Sequence, residues 1–150
     1  MERSLVLIKP DAVQRGIAGT IIARFERRGL RIVAMKMIQM DKALAQRHYA
    51  VHQNKPFFND LVKFITSSPI IAAVFEGKNA VEVIRRTMGE TNSAKASPGT
   101  IGGDYGIDLQ YNLVHGSDSL ENAAKEINIF FLPEEILNYP RDIDRWVTGS

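Results

Sequence analysis

The chain contains no cysteine. Disulfides, thiolate metal sites and a cysteine nucleophile are thereby excluded, and the redox state of its compartment leaves no mark on the sequence. No Gly-x-x-x-x-Gly-Lys-Ser/Thr segment occurs, so any phosphate chemistry must use an arrangement other than a P-loop. Long apolar runs are also missing. The first one stops at Ile8, too short for a signal-peptide core or a membrane span, and the expected location is cytoplasmic. Charge of one sign is lacking too: 19 basic residues stand against 17 acidic ones, for a net charge of +2. Mild basicity of this kind gives little support to nucleic-acid binding through the arginines of the first helix, but suits scattered cations serving an anionic ligand.

What remains is an ordinary globular composition, 45% apolar and 24% charged over 150 residues. It is read as one domain, 1–150, long enough to bury about 70% of the surface that its unfolded chain exposes.

Leu5–Ile8 is a continuous β-prone run closed by Lys9-Pro10-Asp11, the pattern of a buried strand ending at a turn. Ala18, Ile21, Ile22 and Phe25 recur at helical spacing before Gly29. A second strand is predicted over 32–40, then a helix capped by Asp41 and running to about Val51, and another over 57–66. A third strand spans 70–75. Asn79 is expected to cap a helix ending at Gly89. Residues 90–110 lose periodicity, a length of loop that is usually functional or disordered. A last strand is predicted over 109–115, followed by a helix opened by a capping box at Asp118-Ser119-Leu120-Glu121. The tail reads as irregular with short helical turns. Four strands with intervening helices suggest an α+β fold of the split β-α-β type.

Three charged or polar side chains sit where packing alone would favour apolar ones. Arg85 falls on the inner stripe of its helix with Val81, Ile84 and Met88; it either meets an anion there or snorkels to water. Lys9 stands where a buried strand emerges, as a phosphate ligand or simply a lysine beside a turn. His115 ends the last strand just before a helix N-terminus, where phosphate is welcome and neutral imidazole, the nucleophilic form, is favoured; it is either such a nucleophile or simply a structural polar residue at a strand end. Glu126 on the following helix lies beside the inner stripe, from where it could reach back to the other ring nitrogen. His48 and His52, spaced i and i+4, resemble a metal pair. They lack a third ligand and the glutamate of a zinc-protease helix, so the pair reads as a solvated face and no protein metal site is expected.

The segment "PGTIGGDYG", 98–106, packs four glycines into nine residues. By composition alone it suggests a backbone cradle for phosphate.

"YNLVHGSDS" (111–119), with "VLIKPDAVQRG" near the start and "MGETN" in the middle, resembles the nucleoside diphosphate kinase family. The likeness is collinear from Arg3 through "FFLPEEIL". It implies a ferredoxin-like four-stranded antiparallel sheet (β-α-β-β-α-β), with helices on one face and a long loop. It implies transfer of the γ-phosphate of a nucleoside triphosphate to a nucleoside diphosphate through a phosphohistidine, with Mg²⁺ bridging the outer phosphates. The alternative is a nucleotide-binding oligomeric scaffold with negligible turnover. By resemblance His115 is the nucleophile and Glu126 its orienting carboxylate, with Lys9 a cation for the transition state. Lys9, Tyr49, Arg85, Thr91 and Asn112 would hold phosphates and sugar, while Phe57 and Leu109 would cover the two faces of the base. Gly116 and Ser117 adjoin the nucleophile. A homohexamer is implied, a tetramer being the other family assembly, with the long loop near the threefold axis; no membrane or specific nucleic-acid partner is implied. Two positions depart from the family pattern. Gly102 stands where an arginine on the outer phosphates is usual, and Ser93 where proline is common. On this reading the glycine loop marks a missing cation.

Overall fold

A computed structural model describes residues 1–149. Its sheet contains β1 (Glu2–Ile8), β2 (Arg31–Ile38), β3 (Ile70–Gly77) and β4 (Val114–Gly116), in the order β2-β3-β1-β4 with every neighbouring pair antiparallel. β1 and β2 therefore point the same way with β3 between them, which is the split β-α-β arrangement. The connection β1 to β2 carries α1 (Pro10–Gln14) and α2 (Ala18–Arg27); β2 to β3 carries α3 (Lys42–His48) and α4 (Phe58–Ile65). α5 (Ala80–Met88) and α6 (Ile101–Tyr105) precede β4, and α7 (Leu120–Phe130) and α8 (Asp144–Val147) follow it.

Helices cover both faces of this sheet, not one. Leu5 and Leu7 of β1 join a core with Val62, Ile65, Ile127 and Phe130, contributed by α4 and α7. Val6 and Ile8 point the other way, to Ile21 and Phe25 of α2, Ile84 of α5 and Ile101 of α6. Side chains alternate along a strand, so a central strand covered on both sides has no polar face, and 5–8 is apolar without interruption for that reason.

The caps differ in detail from their sequence signals. Asp41 accepts from the Leu44 N–H at 2.7 Å, as its position suggests. Asn79 stands before α5 but makes no side-chain cap bond; its backbone is left-handed at φ 54°, a conformation that asparagine tolerates better than most residues. The Glu2 carboxylate accepts from Val81 N instead. The cap of α7 is Ser119, accepting from Asn122 N at 3.0 Å, one residue later than the expected box.

The last strand is much shorter than 109–115. Its entry is set at Leu113, buried and at φ 80°. The Leu113 N–H donates to Asp11 Oδ2 at 3.0 Å, and its carbonyl accepts from the Lys9 N–H at 2.9 Å. A backbone turned to positive φ at a bulky residue leaves the strand pairing, so 109–113 stay irregular.

The long loop is ordered by side chains from the first helices. Arg24 donates to the Asp104 carboxylate and, at 2.8 Å, to the Gly99 carbonyl, while Arg15 reaches the Tyr105 carbonyl at 2.7 Å. Arg28 donates to Thr87 Oγ1. The arginines that could have suggested a nucleic-acid surface thus include two, Arg24 and Arg28, that tie the fold together. Within the loop, Thr100 caps α6 through Gly103 N at 3.0 Å, so "PGTIGGDYG" is largely a capped helical turn and not an open cradle.

Candidate active site

β1 and β4 bring the two ends of the chain's chemistry together. Leu7 pairs across the sheet with His115, which puts the His115 ring on the Leu7 face, under α3 and α7. Two residues beyond Leu7 in β1 direction, Lys9 leaves the strand at the same edge. Gly116 lets α5 approach closely: a Cβ there would lie 2.6 Å from Met88 Sδ and 2.9 Å from Ile84 Cγ2.

A cavity of about 530 Å³ opens at this point. His115, Lys9, Tyr49, Arg85, Thr91 and Asn112 contribute to its wall, and the half-exposed rings and methyls of Phe57 and Leu109 complete it. The side chains singled out from the sequence as ligands are all brought to this one space, and Glu126 stands behind His115. Gly102 is not among the lining residues; it lies behind Met88, which is.

His115 Nε2 and Glu126 Oε1 are 2.6 Å apart, and Ser117 Oγ donates to the same carboxylate oxygen at 3.0 Å. A carboxylate accepts, so the ring carries its proton on Nε2 and keeps a lone pair on Nδ1. Ser117 is fully buried and limits the directions in which Glu126 can turn.

Lys9 is buried, and its ammonium donates to the Gln110 carbonyl at 2.9 Å and to Asn112 Oδ1 at 2.6 Å. Asn112 in turn donates to the Thr91 carbonyl at 2.8 Å, linking three wall residues in one chain of bonds. Burial lowers the Lys9 pKa to about 8, against the opposing pull of Asp11 and Asp108. An ammonium has three donors, and with two engaged the third is available for an anion. Arg85 donates to the Gly116 carbonyl at 3.2 Å and is otherwise exposed, lining the cavity without packing in the core. Burial, with Glu126 adding, raises the Tyr49 phenol to about 12 and keeps it a hydrogen-bond donor.

His48 was expected on a solvated face and is not there. It packs edge-on against His115, ring centroids 4.8 Å apart at 89°, and also against Phe130. Both of its ring nitrogens are inaccessible to solvent and have no hydrogen-bond partner. Burial first, then the neighbouring His115, His52 and Lys9, pushes its pKa well below the usual histidine value, leaving the ring neutral. The i, i+4 spacing drew attention to His52, but besides the adjacent Tyr49 the rings packed on His48 come from β4 and α7. Only the strand register could have revealed that, since nothing local in the sequence records it. Asp11, which sets the turn at Leu113, was missed for the same reason.

A sequence model described as "Nucleoside diphosphate kinase" matches residues 2–136. The chain belongs to the nucleoside diphosphate kinase family. A nucleoside diphosphate kinase of Roseiflexus sp. (strain RS-1) is 52% identical over 147 residues, covering 98% of this chain and 99% of the relative. A halophilic nucleoside diphosphate kinase from Halobacterium salinarum, solved in complex with CDP, superposes with a TM-score of 0.95 at 48% identity, covering 97% of each chain. A nucleoside diphosphate kinase family protein from Babesia bovis superposes equally well, TM-score 0.95, at 39% identity over 98% of this chain and 99% of its own.

Gly102 and Ser93, the two positions singled out in the sequence as unusual, lie side by side. Gly102 is buried in α6, and a Cβ built on it would lie 3.1 Å from Ser93 Oγ, 3.3 Å from the Met88 carbonyl and 3.4 Å from Ala96 Cβ. Ser93 Oγ is itself buried without a partner. The glycine sits inside a helix, where it costs about 1 kcal/mol relative to alanine.

Proposed function

We propose that this nucleoside diphosphate kinase family member moves the γ-phosphate of a nucleoside triphosphate to a nucleoside diphosphate in two half-reactions, with His115 as the group that carries it between them. The observation that carries this reading is the 2.6 Å contact of His115 Nε2 with Glu126 on the wall of a cavity that also holds Lys9 and Arg85. In the first half-reaction the His115 Nδ1 lone pair attacks the γ-phosphorus in line; the bond from phosphorus to the bridging oxygen breaks, and that electron pair leaves on the nucleoside diphosphate. The positive charge that develops on the ring is met by the Glu126 carboxylate. The second half-reaction reverses the first, a terminal oxygen of an incoming diphosphate displacing the imidazole.

Little covalent chemistry remains for the protein, so positioning and charge decide the rate. Lys9 and Arg85 face oxygens on which negative charge builds, and Asn112 and Thr91 fix Lys9 from behind. Tyr49, a donor at all physiological pH, suits a phosphate or ribose oxygen. Phe57 and Leu109 offer apolar cover to a base without reading its edges, which favours acceptance of both purines and pyrimidines. The cavity wall includes the carboxylates Asp60 and Glu90 but no cluster of them, so Mg²⁺ fits here as part of the substrate, held by phosphate oxygens and shielding their charge. A scaffold without turnover gains no support, because the nucleophile, its carboxylate and the cations converge on one space.

A homohexamer, with a tetramer as the alternative, is supported by exposed apolar residues on the edge strand β2 (Met35, Met37) and in the long loop (Ile107, Leu109, Tyr111). A cytoplasmic setting agrees with the chemistry of the substrates, and among the described residues no helix is long and apolar enough to cross a membrane. The test is incubation with γ-labelled ATP and Mg²⁺. An acid-labile phosphoenzyme should form, and His115→Ala should abolish it. Failure of the unaltered chain to take up label at any ATP concentration would sink the proposal.

A further inference from the structure

His48 presents a problem that phosphoryl transfer does not resolve. A buried imidazole ordinarily finds a partner for each nitrogen, yet here both are orphaned within a site rich in polar groups. One ligand atom from each of His48, His115 and Glu126 can be chosen so that all three lie within 4.8 Å of one another. Both hydrogen bonds to Glu126 fall on Oε1, and among the described residues none falls on Oε2.

We propose that His48, His115 and Glu126 form an inhibitory site for a divalent cation that prefers nitrogen ligands, of which Zn²⁺ is the probe. The donor set, two imidazoles and one carboxylate, is one that zinc uses with water as a fourth ligand. Tetrahedral zinc at about 2.0–2.1 Å from each donor places the donors roughly 3.3 Å apart, so on binding His48 closes in by an ångström or so, while His115 Nε2 and Glu126 Oε1, 2.6 Å apart without metal, separate slightly. Magnesium, small, hard and partial to oxygen in octahedral geometry, is poorly matched to this set. The metal carried by the substrate therefore does not occupy the same place.

Zinc meets His115 on Nε2, the nitrogen that faces Glu126, and binding there silences the nucleophile. Zinc on Nε2 replaces the proton shared with Glu126; that proton moves to Nδ1, which then has no lone pair to offer. The occupancy of the site rests on the geometry alone, whereas its effect on turnover rests on the proposed role of His115.

Zinc affinity is measured on the nucleotide-free, full-length protein by competition with a chromophoric chelator. One equivalent per chain is expected. His48→Ala and the closer-fitting His48→Gln should each weaken binding by roughly 10–100-fold, at least the loss seen when a residue behind a metal ligand is removed. His115→Ala should do the same, and His52→Ala should leave affinity unchanged. With free Zn²⁺ fixed by a metal buffer and Mg²⁺ in excess, phosphoenzyme formation should fall in proportion to occupancy and return on adding chelator. Binding that ignores both His48 substitutions, or that follows His52, overturns the site; full occupancy without loss of phosphoenzyme overturns the silencing. Absence of phosphoenzyme in zinc-free buffer would instead count against the kinase reading, and the affinities would stand.

Discussion

The hydroxyl of Ser93 lies 3.1 Å from the point at which any side chain on Gly102 would begin. These two positions, the ones at which an arginine and a proline were expected from the sequence, are therefore coupled through contact. Ser93 Oγ has no hydrogen bond to lose, so it opposes a larger residue at 102 by bulk alone.

Restoring arginine at position 102 should raise kcat/KM by about ten- to a hundredfold, the worth of a charge-assisted hydrogen bond of roughly 1.5–3 kcal/mol. The gain should be larger in Gly102→Arg with Ser93→Ala than in Gly102→Arg alone, because the hydroxyl no longer has to move. Steady-state kinetics on the two single variants and the double variant measure this coupling. Equal efficiency in all of them would show that no phosphate contact is missing at this place.

Lys9 gives the free enzyme a pH limb. With its pKa lowered to about 8 by burial, the ammonium is lost as pH rises through that value, and kcat/KM should fall above about pH 8. Lys9→Arg, charged throughout, should be slower but lack this limb. Stability has the opposite sign. The folded pKa lies below the unfolded one, so between about 8 and 10.5 the unfolded chain binds more protons, and this residue makes folding more favourable as pH rises through that window. Chemical denaturation of the nucleotide-free protein at pH 7.5 and 9.5, compared with Lys9→Met, isolates the contribution.

Glu126→Ala removes the acceptor for both His115 and Ser117. Loss of a hydrogen bond to a charged group, about 1.5–3 kcal/mol, should slow phosphoenzyme formation by roughly ten- to a hundredfold while nucleotide affinity changes little. Glu126→Gln keeps an acceptor without the charge and should fall between the two. Rapid-quench measurement of the first half-reaction separates chemistry from binding.

Much of this could be read in the sequence because it is local. Leu5–Ile8 shows its double burial by having no polar member, and Asp41 announces its helix by position. The convergence of Lys9, Arg85 and His115 on one cavity was only suggested by the sequence, where each stands out at a position that apolar residues would fill. What was hidden depends on register or on backbone sign. β4 was expected to begin near residue 109 because Leu109, Leu113 and Val114 look strand-like; the positive φ of Leu113, fixed by Asp11 from about a hundred residues away, has no local signature. His48 was assigned to solvent because its helix-mate His52 is visible in the sequence and its real neighbour, His115, is not. The helices on the second face, α2 and α5 among them, show their period in the sequence, but which face of the sheet each one covers depends on strand order, and that has no local signature.

The central place of β1 sets an order of assembly during synthesis. Its two partners in the sheet are β3 and β4, and the bond from Lys9 to Asn112 closes a separation of 103 residues. During synthesis Lys9 thus emerges about a hundred residues before Asn112, and the wall that the two share cannot form until that later stretch has been made. Chains that end before Asn112 lack this bond, and the pocket is completed only when the stretch bearing Asn112 and His115 is available to fold.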